Sequence, residues 1–312
     1  MTKTSKLNIT FLAMVIISIM GAFAYSYLTM ALELPIYADL LISQLFVLVP
    51  AFIYVKAEHW NLHARIGRRH INFTSLLCLI GIKILSMPLL SLLNLVSSLF
   101  VPNAAQQLNA QMTGQPTWIL ILFIAIIPSV LEEFVFRGVF FYGYRNHGFW
   151  KAAIVSGIVF GLMHLNFNQF SYGFALGVIF AAVVEATGSI YASMIIHFLI
   201  NFESVQAISA LSKLTEAENG MLIESIEMSA AFEKTYMAVM ILILALAAVV
   251  ATALLILLIK LLAKQCQRED YFAWVLDGGE KEALKHKKTE KITDMYFWAA
   301  IIICIIFMIY AV

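Results

Sequence analysis

Six strongly polar side chains lie inside or at the edge of long apolar runs of this sequence: Glu132, Glu133, Arg137, His164, His197 and Asn201. An ionisable group at bilayer depth costs roughly 2.5–3.5 kcal/mol even on lenient insertion scales, so each needs a partner or a purpose. Glu133 precedes Arg137 by one helical turn, the favourable order for an intrahelical ion pair, so its charge can be neutralised within its own helix. Glu132 has no such partner, and a desolvated carboxylate is suited to taking a proton near neutral pH as a general base. His197 and Asn201 are also one turn apart and share a helix face, where an imidazole and an amide can donate hydrogen bonds to a developing oxyanion. His164 can share an attacking water with Glu132. Taken singly, a buried Glu–Arg pair, His or Asn reads as structural glue between helices, and only their combination points to chemistry.

The elements that must position these groups are membrane helices. Of the 312 residues, 62% are hydrophobic and 12% charged, against roughly 45–50% and 25% in soluble domains. Apolar runs fall at about Asn8–Met30, Ile36–Val55, Thr74–Phe100, Trp118–Tyr142, Ala152–Leu165, Tyr172–Glu185, Ser189–Leu211, Tyr236–Ala263 and Tyr296–Val312. The fold class expected is an all-α polytopic transmembrane bundle of eight or nine spans, the fifth and sixth runs being short for a bilayer. The first run follows Lys3 and Lys6 but is too long for a signal peptide's apolar core, and reads as the first span. At a helical rise of 1.5 Å per residue, Glu132, His164 and His197 lie about 15, 18 and 12 Å from one membrane face. Three antiparallel helices thus bring their polar residues to similar depth.

With nine spans and the N-terminus in the cytoplasm, the cytoplasmic segments hold Lys3, Lys6, Lys56, Arg65, Arg68, Arg69, Arg145, Lys151 and the basic stretch Lys260–Lys291. The outer loops hold only Lys213 and Lys234, within an acidic loop Ser212–Thr235 that carries Glu216, Glu218, Glu224, Glu227 and Glu233. No repeat or low-complexity linker divides the sequence, which reads as a single membrane domain over 1–312. The segment 264–294 reads as a cytoplasmic amphipathic connector before a last span, because Tyr271, Phe272, Trp274 and Leu276 alternate with charges. Lys83, Glu203 and Glu185 are expected to snorkel or pair structurally. Cys78, Cys266 and Cys304 are too scattered for a disulfide or zinc framework. A net charge of +1 without a basic stripe excludes a nucleic-acid partner.

The polar residues fall into three patterns, in order: Glu132-Glu133-Phe-Val-Phe-Arg137, Phe160-Gly-Leu-Met-His164 and His197-Phe-Leu-Ile-Asn201. Together they resemble the signatures of the CAAX protease and bacteriocin-processing (Abi) family of intramembrane proteases. Gly138 and the Gly188-Ser189 pair also fit. The resemblance covers about residues 118–201 as a catalytic core, with motifs at 132–137, 160–164 and 197–201. It implies that Glu132 and His164 activate the hydrolytic water, that His197 and Asn201 form the oxyanion hole, and that Glu133, Arg137 and Phe160 support the site. It also implies a multi-pass protein of a bacterial plasma membrane.

Glu132, His164 and His197 would make a two-His-one-carboxylate zinc set. A Glu/His dyad with an oxyanion hole accounts for Asn201 without a metal and is preferred, with no cofactor. The expected function is endopeptidase cleavage of a membrane-associated substrate, either a CAAX-type prenylated protein or a bacteriocin or peptide precursor, with membrane lipid as a second partner. A non-catalytic immunity or partner-binding protein is the alternative. A proton or ion transporter is disfavoured because paired, inverted, broken helices are not evident.

Overall fold

The structure is a computed structural model that describes all residues except 33, 61–70, 219–229, 281–289 and 311–312; within helices, the side chains of residues 30, 104, 214–218 and 230–234 are also outside the description. Arg65, Arg68 and Arg69, and the acidic side chains assigned to the loop 212–235, therefore lie outside the described residues. So does much of the connector after Glu280.

The chain is an all-helical membrane bundle. Its elements are α1 (Lys3–Leu32), α2 (Ile36–Ala57), α3 (Phe73–Ser98), the short α4 (Ala104–Gln111), α5 (Thr117–His147), α6 (Phe149–Leu162), α7 (Phe167–Thr187), α8 (Ile190–Glu218), α9 (Ala230–Gln265), α10 (Glu269–Leu276) and α11 (Met295–Tyr310). Among the described residues, seven helices are long and apolar enough to cross a membrane, and α6 and α11 are shorter apolar helices. All nine runs read from the sequence are thus helices. Their outward faces carry the apolar side chains a lipid environment requires, such as Leu242, Leu246, Val249, Val250 and Leu257 on α9.

The boundaries differ from expectation in informative ways. α7 begins before Tyr172 because the Asn166 side chain accepts from the Gln169 amide at 3.0 Å, an N-cap that starts the helix at Phe167. α8 runs on to Glu218, so the expected outer loop is partly helical: polar residues end an apolar run without ending a helix. α6 stops at Leu162, and the chain turns through Leu165 at φ 51°. His164 consequently sits in the turn between α6 and α7 rather than within a span.

Two glycine pairs set the packing of α6 on α7. A Cβ on Gly177 would lie 2.5 Å from the Gly157 Cα, and one on Gly161 would lie 3.0 Å from the Phe170 carbonyl oxygen. Backbone therefore meets backbone, as small residues four apart allow in lipid. α7 is the most enclosed of the long spans. It packs on α3, α6, α8 and α9, and α9 also lies along α3.

α5 is not a uniform helix. Its backbone widens to π-helical turns at Ile121–Ile126 and again at Phe134–Phe141, on either side of an α-helical stretch, Ile127–Glu133. Pro128 gives a physical reason for the first: it has no N–H to donate and its ring collides with the carbonyl four residues back, which a wider turn relieves. The two acidic residues thus stand at the end of a short regular stretch between two widened ones, a feature frequent at functional sites.

The segments sorted by charge to one side also meet at one end of the bundle. Lys6 bonds Glu58 at 2.6 Å, Thr4 meets His147 at 3.0 Å, and Tyr144 donates to Asn8 at 2.6 Å. At the opposite end the Gly114 amide donates to the Ser212 hydroxyl at 3.0 Å.

Candidate active site

Glu133 and Arg137 are both fully buried and form the ion pair that their spacing predicts, Arg137 Nη1 donating to Glu133 Oε1 at 2.9 Å. The guanidinium is held between two aromatic faces, its Cζ 4.4 Å from the Phe160 centroid and 4.8 Å from that of Phe180. Phe160 comes from α6 and Phe180 from α7, so one cation ties three helices together. Arg137 Nε and Nη2 and Glu133 Oε2 have no hydrogen-bond partner among the described residues.

His197, on α8, places Nδ1 3.0 Å from Glu133 Oε1. A carboxylate paired with arginine is an acceptor only, so the imidazole Nδ1 carries the proton and donates. Its Nε2 then faces Glu132 Oε2 at 3.9 Å. Glu132 retains 14% side-chain exposure where Glu133 has none, and its Oε1 accepts from the Gln44 amide of α2 at 2.8 Å. The two adjacent carboxylates are thereby differentiated: one is locked among Arg137 and His197, while the other is held by a neutral amide at the more open side.

His164 Nδ1 lies 3.0 Å from the Phe160 carbonyl oxygen. A carbonyl only accepts, so Nδ1 donates and the lone pair of neutral His164 sits on Nε2, free for water or substrate. The Phe160 ring packs edge-on against both imidazoles, with centroids 5.1 Å from His164 and 5.9 Å from His197. Glycine at position 173 leaves room beside His164, since a Cβ there would lie 3.8 Å from the imidazole.

The structure thus brings Glu132, Glu133, Arg137, Phe160, His164 and His197 into one neighbourhood. His164 and Glu132 make no direct hydrogen bond, and the side chain of Asn201, half-buried one turn beyond His197, makes none with the described residues. Among the described residues no three His, Cys, Asp or Glu side chains converge as a metal-binding set. Lys83 and Glu203 pair with each other at 2.6 Å, and Glu185 pairs with Arg145 at 2.8 Å, the structural role expected of them.

Two contributors escaped the motif reading. Gln44 was signalled only as a lone amide in an apolar run, and Phe180 by nothing, since aromatic residues are abundant in spans.

These features define a polytopic helical membrane protein with a buried carboxylate–imidazole cluster. Residues 114–202 match the family described as Type II CAAX prenyl endopeptidase Rce1-like, so the resemblance read from the motifs is borne out over the segment that carries them. The chain is 36% identical over 113 residues to "Membrane-embedded CAAX protease MroQ" of Staphylococcus aureus (strain USA300), covering 32% of this chain and 45% of that protein. It is 27% identical over 84 residues to "Putative membrane peptidase YdiL" of Bacillus subtilis (strain 168), covering 27% of this chain and 34% of that one. The matches thus span less than half the length of either relative. No solved structure matches this chain significantly.

Proposed function

We propose that the protein is an intramembrane endopeptidase that hydrolyses a peptide bond of a membrane-associated substrate, either a prenylated CAAX-type protein or a bacteriocin or peptide precursor. The observation that carries the reading is the asymmetry of the adjacent carboxylates: Glu133 is neutralised by Arg137 and His197, while Glu132 keeps a partly open carboxylate. The match to a peptidase family over the same residues supports it.

In the proposed reaction Glu132 takes a proton from a water that also hydrogen-bonds to His164 Nε2, and the hydroxide attacks the scissile carbonyl carbon. The carbonyl oxygen becomes an oxyanion that accepts from the Asn201 amide and from His197 Nε2. Because Nδ1 already donates to Glu133, Nε2 donates only when His197 is an imidazolium. Collapse of the tetrahedral intermediate breaks the C–N bond, and the proton held by Glu132 passes to the departing amine. The end of the bundle bearing Lys6, Arg145 and Arg268 faces the cytoplasm in this reading, by the excess of positive charge there.

The test is cleavage of a membrane-peptide library, including a farnesylated peptide ending in a CAAX box, by purified wild-type protein and by Glu132→Ala and His164→Ala, each with and without a strong chelator. Loss of a general base typically lowers the rate by about 10²–10⁴-fold, and both variants are expected to fall in that range. Activity that survives chelation supports the glutamate-dependent mechanism, whereas loss restored by zinc makes the enzyme a metallopeptidase. A library cleaved by none of the proteins but still bound by wild type would replace the reading with that of a peptide-binding protein.

A further inference from the structure

We infer that Gln44 is a positioning residue for Glu132, a part of the site supplied by α2 and lying outside the segment that matches the peptidase family. The inference rests on the endopeptidase reading for its kinetic consequence, but on geometry alone for the contact itself.

Three observations carry it. Gln44 Nε2 donates to Glu132 Oε1 at 2.8 Å, across 88 residues of sequence. The other oxygen, Oε2, is left turned toward His197 Nε2 at 3.9 Å, so the amide selects which oxygen faces the space between the imidazole and the carboxylate. The contact is also anchored: Ile36 and Leu40 of α2 pack against a separate apolar cluster that includes Leu120 and Ala125 of α5 and Val205 and Ile208 of α8. Gln44 follows Leu40 by one turn on the same helix face, so this cluster delivers its amide to α5.

The chemistry explains why an amide is suited to this place. Arginine or lysine beside Glu132 would hold the carboxylate as an ion pair and weaken it as a proton acceptor. The one guanidinium in the cluster is instead engaged by Glu133 at 2.9 Å. A neutral N–H donor fixes orientation while adding no formal charge, so it does not weaken Glu132 further as a proton acceptor beside His197. α2 thus completes a site whose other members come from α5, α8 and the α6–α7 segment.

Gln44→Met keeps the length of the side chain and removes the donor; Gln44→Glu keeps the shape and replaces the donor with a like charge. With the farnesylated CAAX peptide as probe, Gln44→Met is expected to lower kcat by about 10- to 100-fold with KM changed less than about threefold, the pattern of lost orientation rather than lost binding. Gln44→Glu is expected to lose more. Wild-type kcat in Gln44→Met would overturn the inference, as would a rise in KM alone.

A second measurement does not depend on cleavage. The carboxylate infrared band of Glu132, identified as the band missing in Glu132→Gln, is expected to move in Gln44→Met protein in lipid nanodiscs, because it loses a hydrogen-bond donor. An unmoved band overturns the inference even if the protein proves to be an active peptidase. A moved band in a protein that cleaves nothing supports the contact while sinking the endopeptidase reading.

Discussion

Glu133 and Arg137 occupy the most demanding position in the molecule, since both are buried and their partners are fixed: Glu133 Oε1 serves Arg137 Nη1 at 2.9 Å and His197 Nδ1 at 3.0 Å. Removing one member of a buried pair strands the other charge, which typically costs about 3–5 kcal/mol, whereas replacing both with apolar groups of similar volume costs far less. Arg137→Met is therefore expected to lower the thermal midpoint in detergent sharply. The Glu133→Leu/Arg137→Met double variant should recover much of that loss while remaining inactive, because His197 would lose its Nδ1 acceptor. A double variant no more stable than Arg137→Met would show that the pair contributes through packing on Phe160 and Phe180 instead. The ion pair was readable from one-turn spacing. The His197 contact was not, because nothing in a sequence says which faces of two helices meet, and the Gln44 contact is hidden for the same reason.

At the scale of elements, the nine apolar runs were legible because the bilayer demands long uninterrupted hydrophobicity, which is a coarse and reliable signal. Their ends were less so, since Asn166 caps α7 early and α8 continues past its apolar residues. The crossing of α6 and α7 was written in the sequence as Gly157-Ile-Val-Phe-Gly161 and Gly173-Phe-Ala-Leu-Gly177, but only the structure shows that the two motifs face each other. This crossing sets the turn that carries His164. Gly177→Val is expected to push α6 away from α7, costing about 1–3 kcal/mol by overpacking and reducing cleavage through displacement of His164. Gly138→Ala is the control: its Cβ would meet the Ile190 Cδ1 at 3.4 Å, the Phe134 Cδ2 at 3.8 Å and the Glu133 carbonyl oxygen at 4.0 Å, all ordinary contacts, so melting and activity should stay near wild type. Equal damage from both substitutions would mean that the α6–α7 approach is not specially tight.

Across the whole molecule, the region that matches the peptidase family is clamped at one end by segments from both chain termini. Arg145, at the end of α5, binds Glu185 of α7 through Nε at 2.9 Å and Nη2 at 2.8 Å, and also pairs with Glu280. Tyr271 of α10 donates to Glu185 at 2.5 Å, while Arg268 donates to the Glu185 carbonyl at 3.1 Å and stacks on the Tyr271 ring. Burial first, and the Glu185 contact second, push the Tyr271 phenol up to about 12, so it remains a donor at physiological pH. Glu280 further accepts from the Phe149 amide at 2.8 Å, at the N-terminus of α6, where a carboxylate is favoured by the helix dipole. From the other terminus, Asn8 accepts from Tyr144 and donates to the Ile292 carbonyl, joining α1 to the same place. Residues 268–280 of the expected amphipathic connector therefore form a strap across the ends of α5, α6 and α7. Arg145→Met leaves Glu185 buried without its bidentate partner, at a cost of roughly 3 kcal/mol. The expected result is release of residues 268–280, seen as faster limited proteolysis there, while cleavage of a peptide substrate by the intact protein persists, because Glu132 and His197 are held by α2, α5 and α8. Loss of activity without increased proteolysis would instead make the strap part of the site.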